Sequence, residues 1–212
     1  MAHIVSVVGD TVDQSVLQFE EVLRLQELDT DLYMALKTWK SVYARGTFGG
    51  YTICQALLAA SKTVPTGFNL HSMHSYFLRS GDPSRSTIYR VLRTRDGQSF
   101  SSRTVSAIQD GKPILTLQAS FHCEEAEASS ILEYQPKFPD VKHHQKLLTV
   151  EDHVRDALTR DNLSVRLKDL LKRSCDVPIV IKPLDPKTYF SLSSNPDHSN
   201  SCWVKVSANL GK

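Results

Sequence analysis

Thr47-Phe48-Gly49-Gly50-Tyr51-Thr52-Ile53-Cys54-Gln55-Ala56-Leu57-Leu58-Ala59-Ala60-Ser61 contains no charged side chain. The glycine pair permits a tight entry turn, and the Ala/Leu-rich stretch behind it propagates well as a helix. Val64-Pro65-Thr66-Gly67 stops that helix. A helix with no charge on any face is expected to be buried all round, so other parts of the chain must wrap it. The uncharged run, residues 46–61, falls short of the roughly 20 apolar residues that span a bilayer.

The wrapping is expected from strands on either side. Upstream, residues 32–42 mix Leu, Tyr, Met, Trp and Val with lysines, as a strand with one wet face does. Downstream, residues 71–79, 87–95, 99–109 and 113–122 alternate in the manner of strands. Ser80-Gly81-Asp82-Pro83 turns the chain after the first of them. Asp96-Gly97 and Asp110-Gly111 separate the later ones, and Asp-Gly between alternating segments marks a hairpin. The last strand places Leu115, Leu117, Ala119 and Phe121 on one face. The reading is an α+β domain in which a curved antiparallel meander holds one long buried helix, the hotdog layout.

Four segments follow from this: an N-terminal helical segment 1–30, the hotdog domain 31–123, a linker 124–200, and the start of a second hotdog at 201–212. Residues 13–25 carry Val16, Phe19 and Leu23 at helical spacing. In the linker a helix is expected over 150–174, capped by Thr149, with Glu151 and Asp152 in its first turn and Lys168, Lys172 and Arg173 near its end. A short Val/Ile strand lies within 176–192. Cys202-Trp203-Val204-Lys205-Val206 reads as the first strand of a second domain left incomplete.

The chain has 25 basic and 23 acidic residues among 212, which gives no argument for nucleic acid or a basic membrane-binding stripe. Cys54, Cys123, Cys175 and Cys202 are scattered, without CxxC or Cys/His ligand spacing. They read as reduced thiols, with no metal and no cofactor implied. The N-terminus lacks the basic n-region and long apolar core of a secretory signal.

Several ordered motifs together resemble the acyl-CoA thioesterase II family, the TesB-like and peroxisomal acyl-CoA thioesterases. They are Phe48-Gly49-Gly50 with Gln55-Ala56-Leu57, then His71-Ser72 with His74-Ser75-Tyr76-Phe77-Leu78-Arg79. Arg93-x-x-Asp96-Gly97-x-Ser99-Phe100-x-x-Arg103 and Gly111-Lys112-Pro113-Ile114 with Ala119-Ser120-Phe121 follow. Val177-Pro178-Ile179 and Trp203-Val204-Lys205 match the family's linker and the first strand of its second domain. The resemblance implies two fused hotdogs, homo-oligomers when the second is complete, and hydrolysis of fatty acyl-CoA to free acid and CoA. It places the catalytic Asp, Ser/Thr and Gln in the second hotdog. A peroxisomal location is implied too, although the chain ends Leu210-Gly211-Lys212 rather than in a peroxisomal tripeptide; otherwise the cytoplasm is expected. The rival expectation is a catalytically inactive truncated form that at most binds acyl-CoA. A hotdog dehydratase fits less well, because such a site needs a His/acid pair at the helix.

The residues agree that this half is short of catalytic groups. Between Asp31 and Asp82 there is no Asp or Glu, and water attack on a thioester needs a base or carboxylate. The helix can offer its N-terminal amides to a carbonyl, so Gly49, Gly50, Tyr51 and Gln55 are the candidate substrate-binding residues. Gly49 and Gly50 can equally do no more than turn the chain. His71 is the candidate catalytic residue, placed on the same strand face as Met73; a strand histidine bonded to a neighbouring carbonyl is the ordinary alternative. Cys54, expected buried, reads as a small hydrophobe rather than a nucleophile. Arg79, Arg93, Arg103 and Lys112 are candidates for the phosphates of CoA, against a plainer reading as solvated strand residues.

Overall fold

The computed structural model of the chain describes residues 21, 23–38, 46–123, 134, 136–159, 164–165, 168, 179–190 and 200–206. Two compact units divide the chain, one Glu20–Glu133 and the other containing Tyr134–Lys212.

In the first unit six strands form one antiparallel sheet: β1 (Leu25–Asp29), β2 (Leu32–Ala35), β3 (Phe68–Phe77), β4 (Thr87–Asp96), β5 (Phe100–Gln109) and β6 (Lys112–Cys123). Helix α1 (Gly49–Ser61) lies across one face. The inward register of β6 buries Leu115, Leu117, Ala119 and Phe121, and that of β5 buries Arg103, Val105 and Ala107. Full burial of each large apolar side chain contributes about 1.5–3 kcal/mol. Ala56, Ala59 and Ala60 are fully buried on α1 and pack in the same core; their small side chains let the helix axis approach the sheet closely. The hotdog layout expected from the sequence is therefore present.

Local chemistry explains the tight connections. Asp110 and Gly111 both adopt left-handed backbone conformations, with φ of 50° and 72°. This is the two-residue loop whose twist matches that of paired strands. Between β4 and β5 the Gly97 N–H donates to the Phe100 carbonyl at 2.9 Å.

Three expectations change. The strands after the helix are not a simple meander, since the sheet order is β1-β2-β4-β5-β6-β3 and β3 pairs with β6. Residues 78–86, with Asp82-Pro83 among them, form a long connection and not a hairpin turn, so β3 is free to occupy the far edge. The helix is not buried all round. Tyr51, Thr52, Gln55, Ala56, Ala59 and Ala60 are buried in one stripe, while Cys54 and Ser61 are exposed, because the sheet covers a single side. Finally, Leu25 opens β1 instead of closing a helix, and β2 ends at Ala35. The rest of the expected 13–25 helix falls mostly outside the described residues, as do residues 39–42 of the expected strand.

In the second unit Thr149 caps α2 (Val150–Leu158) with a reciprocal capping box to Asp152. The expected helix ran to 174, and most of that remainder lies outside the described residues. Strands β7 (Ile179–Pro183) and β8 (Cys202–Val206) pair antiparallel, with the short α3 (Pro186–Tyr189) following β7. Trp203 Nε1 donates to the Lys142 carbonyl at 3.0 Å and its ring lies 5.8 Å from that of Phe138. No helix among the described residues is long and apolar enough to cross a membrane.

Candidate functional site

The two ends of α1 are built differently. Beyond its C-terminal end, Arg103 is fully buried on β5, in the inward register shared with Val105 and Ala107. Its Nε donates to Thr63 Oγ1 at 2.8 Å, and its Nη1 to the carbonyls of Arg95 and Ser102 at 3.0 and 2.9 Å. Its Nη2 donates to the Thr63 carbonyl at 2.9 Å and to Asp96 Oδ1 at 2.5 Å. These contacts use every donor a guanidinium has. Hydrogen bonding to Arg103 holds the Asp96 carboxyl below the usual carboxylate range. Arg93 is committed to Asp31 through two bonds of 2.9 and 3.0 Å. That pair borders a charged cavity of about 280 Å³, to which Glu27 and Lys62 also contribute.

At the other end the first turn is open. Phe48 occupies the N-cap position without a side-chain cap, and the first turn has no acidic residue. The Tyr51 and Thr52 amides reach back to the Phe48 carbonyl, whereas the Gly49 and Gly50 amides have no acceptor among the described residues. Such amides carry the positive end of the helix dipole. The glycines let two aromatic rings approach closely. A Cβ on Gly49 would stand 2.7 Å from the Phe77 ring, and one on Gly50 would stand 2.6 Å from the Phe48 ring.

A cavity of about 480 Å³ opens against this end. Its polar lining residues are Thr47, Thr52, Arg79 and Ser80, and its apolar ones Phe77, Leu78, Ile114 and Leu115, with Gly49 and Gly81 also in the lining. The chain is fixed here by the Thr47 amide on the Gly81 carbonyl at 2.9 Å, and by the Leu78 and Arg79 amides on the Ile114 carbonyl. Thr47 Oγ1 is buried without a hydrogen-bond partner. Arg79 is exposed, and its Nη1 donates to the Pro113 carbonyl at 2.7 Å. Among the described lining residues there is no carboxylate and no histidine.

The structure gathers the sequence-chosen residues unevenly. Gly49 lines the cavity and Gly50 is its helix neighbour. Tyr51 faces the interior, with its ring edge-on to Phe48 at 5.9 Å and its hydroxyl pushed up to about 12 by burial. It therefore stays protonated at neutral pH. Gln55 is fully buried in mid-helix, where Oε1 accepts from the Tyr89 hydroxyl at 2.6 Å and Nε2 donates to the Lys37 carbonyl at 3.1 Å. It ties α1 to the sheet and is not among the described lining residues.

His71 is separated from this site by a change of face. The β3–β6 register shifts between Leu70 and Ser72, leaving His71 as the extra residue of a bulge. Its ring lies 5.4 Å from Phe100 and 6.1 Å from His122, two residues whose strand neighbours face the core. His71 is thus exposed on the side of the sheet away from α1, opposite to Met73. Cys54 is exposed, not buried as expected, and partial desolvation raises its thiol further from the thiolate form.

Of the four cations grouped in the sequence, Arg103 and Arg93 are already paired within the fold and Lys112 is exposed at the β5–β6 turn. Sequence reasoning did not distinguish Arg79 from them, and missed Thr47, Ser80 and the apolar wall. Alternation along β5 was a legible signal that Arg103 points inward. Nothing comparable marked the wall, which joins residues distant in sequence.

Residues 37–122 match the family model described as the acyl-CoA thioesterase N-terminal domain. The chain is 39% identical over 193 residues to acyl-coenzyme A thioesterase 8 of Homo sapiens, covering 90% of this chain and 59% of that protein. It is 36% identical over 104 residues to peroxisomal acyl-coenzyme A thioester hydrolase 1 of Saccharomyces cerevisiae, over 49% of this chain and 30% of that one. Among solved structures, the acyl-CoA thioesterase II TesB2 of Mycobacterium marinum superposes with a TM-score of 0.59 at 25% identity, over 88% of this chain and 59% of its own. The chain therefore spans about three-fifths of the length of the human relative.

Proposed function

We propose, from the match of residues 37–122 to the acyl-CoA thioesterase N-terminal domain model, that this chain takes part in hydrolysis of fatty acyl-CoA to free fatty acid and CoA. Its role in that reaction is to receive and polarise the acyl thioester. The observation that carries the reading is the cavity at the open start of α1, lined by Gly49, whose amide has no acceptor among the described residues, and by four apolar side chains.

A thioester carbonyl seated there accepts from the Gly49 and Gly50 N–H groups. Negative charge gathers on that oxygen as water adds, and preorganised amides stabilise it most at that moment. The acyl chain lies along Phe77, Leu78, Ile114 and Leu115. Removal of a proton from the attacking water needs a base, and no described lining side chain is a carboxylate or histidine. The base is therefore sought outside the described lining of the cavity, and His71, on the far face of the sheet, does not reach it.

The test is calorimetric titration of the 212-residue chain with a non-hydrolysable thioether analogue of a medium-chain acyl-CoA, with CoA thiol release from the true thioester followed in parallel. Saturable binding that weakens in Gly49→Ala supports the reading, and absence of binding sinks it. Thiol release above background would place the base within this chain. A peroxisomal location belongs to the same proposal, supported by the name of the yeast relative. Imaging of a fluorescent fusion tests it.

A further inference from the structure

We infer that the cavity at the start of α1 binds free fatty acid, with Arg79 as the residue that meets the carboxylate. This rests on the thioester reading of the same cavity, but it concerns a different ligand, the anionic acid without CoA.

Arg79 is the only charged residue among the described lining residues. Its guanidinium is held at one corner by the Pro113 carbonyl, while Nε and Nη2 have no acceptor among the described residues. The other cations considered are differently placed: every donor of Arg103 is used inside the fold, Arg93 is clamped on Asp31, and Lys112 does not line the cavity. A cation with open donors beside an uncapped helix start attracts an anion, and a planar guanidinium edge matches a carboxylate. The Asp82 carboxylate, which follows Gly81, is turned to Ser84 and Arg85 and does not compete.

The cavity lining combines the Arg79 cation, Gly49 and three hydroxyl-bearing residues, Thr47, Thr52 and Ser80, with four apolar side chains, those of Phe77, Leu78, Ile114 and Leu115. Its volume of about 480 Å³ falls in the range of small-molecule sites, roughly 300–1,000 Å³. One cation among four apolar side chains fits an amphiphile with one small anionic head. An inorganic anion would leave the apolar side chains unused, and a neutral lipid would leave Arg79 unanswered.

The experiment is calorimetric titration of the 212-residue chain with hexanoate, octanoate, decanoate and laurate, each below its micellar concentration, and with methyl laurate. Binding is expected to saturate at one acid per chain and to tighten about fourfold per added methylene until the cavity is filled. Methyl laurate and the Arg79→Gln variant are each expected to bind about tenfold more weakly, Arg79→Lys in between, and Lys112→Gln as the unaltered chain. Equal binding of acid and ester, indifference to Arg79→Gln in a folded variant, or uptake beyond one acid per chain would overturn the inference. The ester comparison needs no variant and so survives any misfolding. Binding of the acyl-CoA thioether without laurate overturns this inference alone. Laurate without the thioether overturns the thioester reading, and loss of both overturns both.

Discussion

At its C-terminal end α1 runs into the Thr63 turn, whose carbonyl and hydroxyl oxygens accept from a buried guanidinium with every N–H engaged. At its N-terminal end Gly49 lines a cavity, and the Gly49 and Gly50 amides have no acceptor among the described residues. The same thirteen-residue helix is therefore fastened at one end and open at the other. Fastening costs the site nothing, because it lies more than a dozen Å away along a rise of about 1.5 Å per residue. Leaving the other end uncapped forgoes stability of about 1 kcal/mol, the usual contribution of a cap, and keeps the amides available to a ligand.

Breaking the fastened end should have the largest effect. Arg103→Ala empties a fully buried site and strands the Thr63 carbonyl, with an expected loss of about 2–4 kcal/mol in urea unfolding. An exposed-site value below about 0.5 kcal/mol would show that the network is not intact in solution. The same network has a pH signature. Asp96 has a lowered folded pKa, so its contribution is present above the unfolded value near 3.9 and is lost as pH falls through the folded one. The acid limb of the stability curve should flatten in Arg103→Met relative to the parent chain. If both curves fall in parallel, Asp96 is not coupled to Arg103.

The middle of the helix comes next. Gln55→Leu leaves the Tyr89 hydroxyl and the Lys37 carbonyl without Gln55, and is expected to cost about 1–3 kcal/mol. An effect confined to ligand affinity, with unfolding unchanged, would restore Gln55 to the site. At the open end, Phe48→Asp supplies the missing cap and should raise stability by about 0.5–1 kcal/mol while weakening laurate binding through repulsion. Gain of stability without loss of binding would show that the two amides do not serve the ligand. Smallest of all, His71→Ala should leave stability and binding within about 0.5 kcal/mol of the parent. A larger loss of binding would return His71 to the site.

The sequence was legible wherever one residue's chemistry decides a local shape. Asp110-Gly111 had to turn, β6 had to bury its even-spaced apolar side, and the uncharged helix had to meet a sheet. It was illegible where placement depends on partners distant along the chain. Nothing near residues 68–77 says that they pair with 112–123 instead of 87–96, so the meander reading went to the nearest neighbour. The face of His71 could not be read by alternation because a bulge breaks the period of two at that residue. Arg79 and Arg103 look alike as residues; burial distinguished them, and burial is a property of the finished sheet. Gln55 was chosen for lying in the motif helix, yet the buried stripe of that helix had to satisfy it internally.

The position of β3 at the sheet's far edge has a kinetic corollary. The tight β5–β6 turn closes a short loop, whereas the β3–β6 seam closes one of some forty residues, and loop closure slows with such separation. Phe77, beside Leu78 and Arg79 just past β3, faces Ile114 and Leu115 on β6 across that seam. The cavity is thus assembled by one of the latest pairings to form. In amide exchange, β3 should open before the β4–β5 core, and ligand should slow that opening first: the site and the seam breathe together.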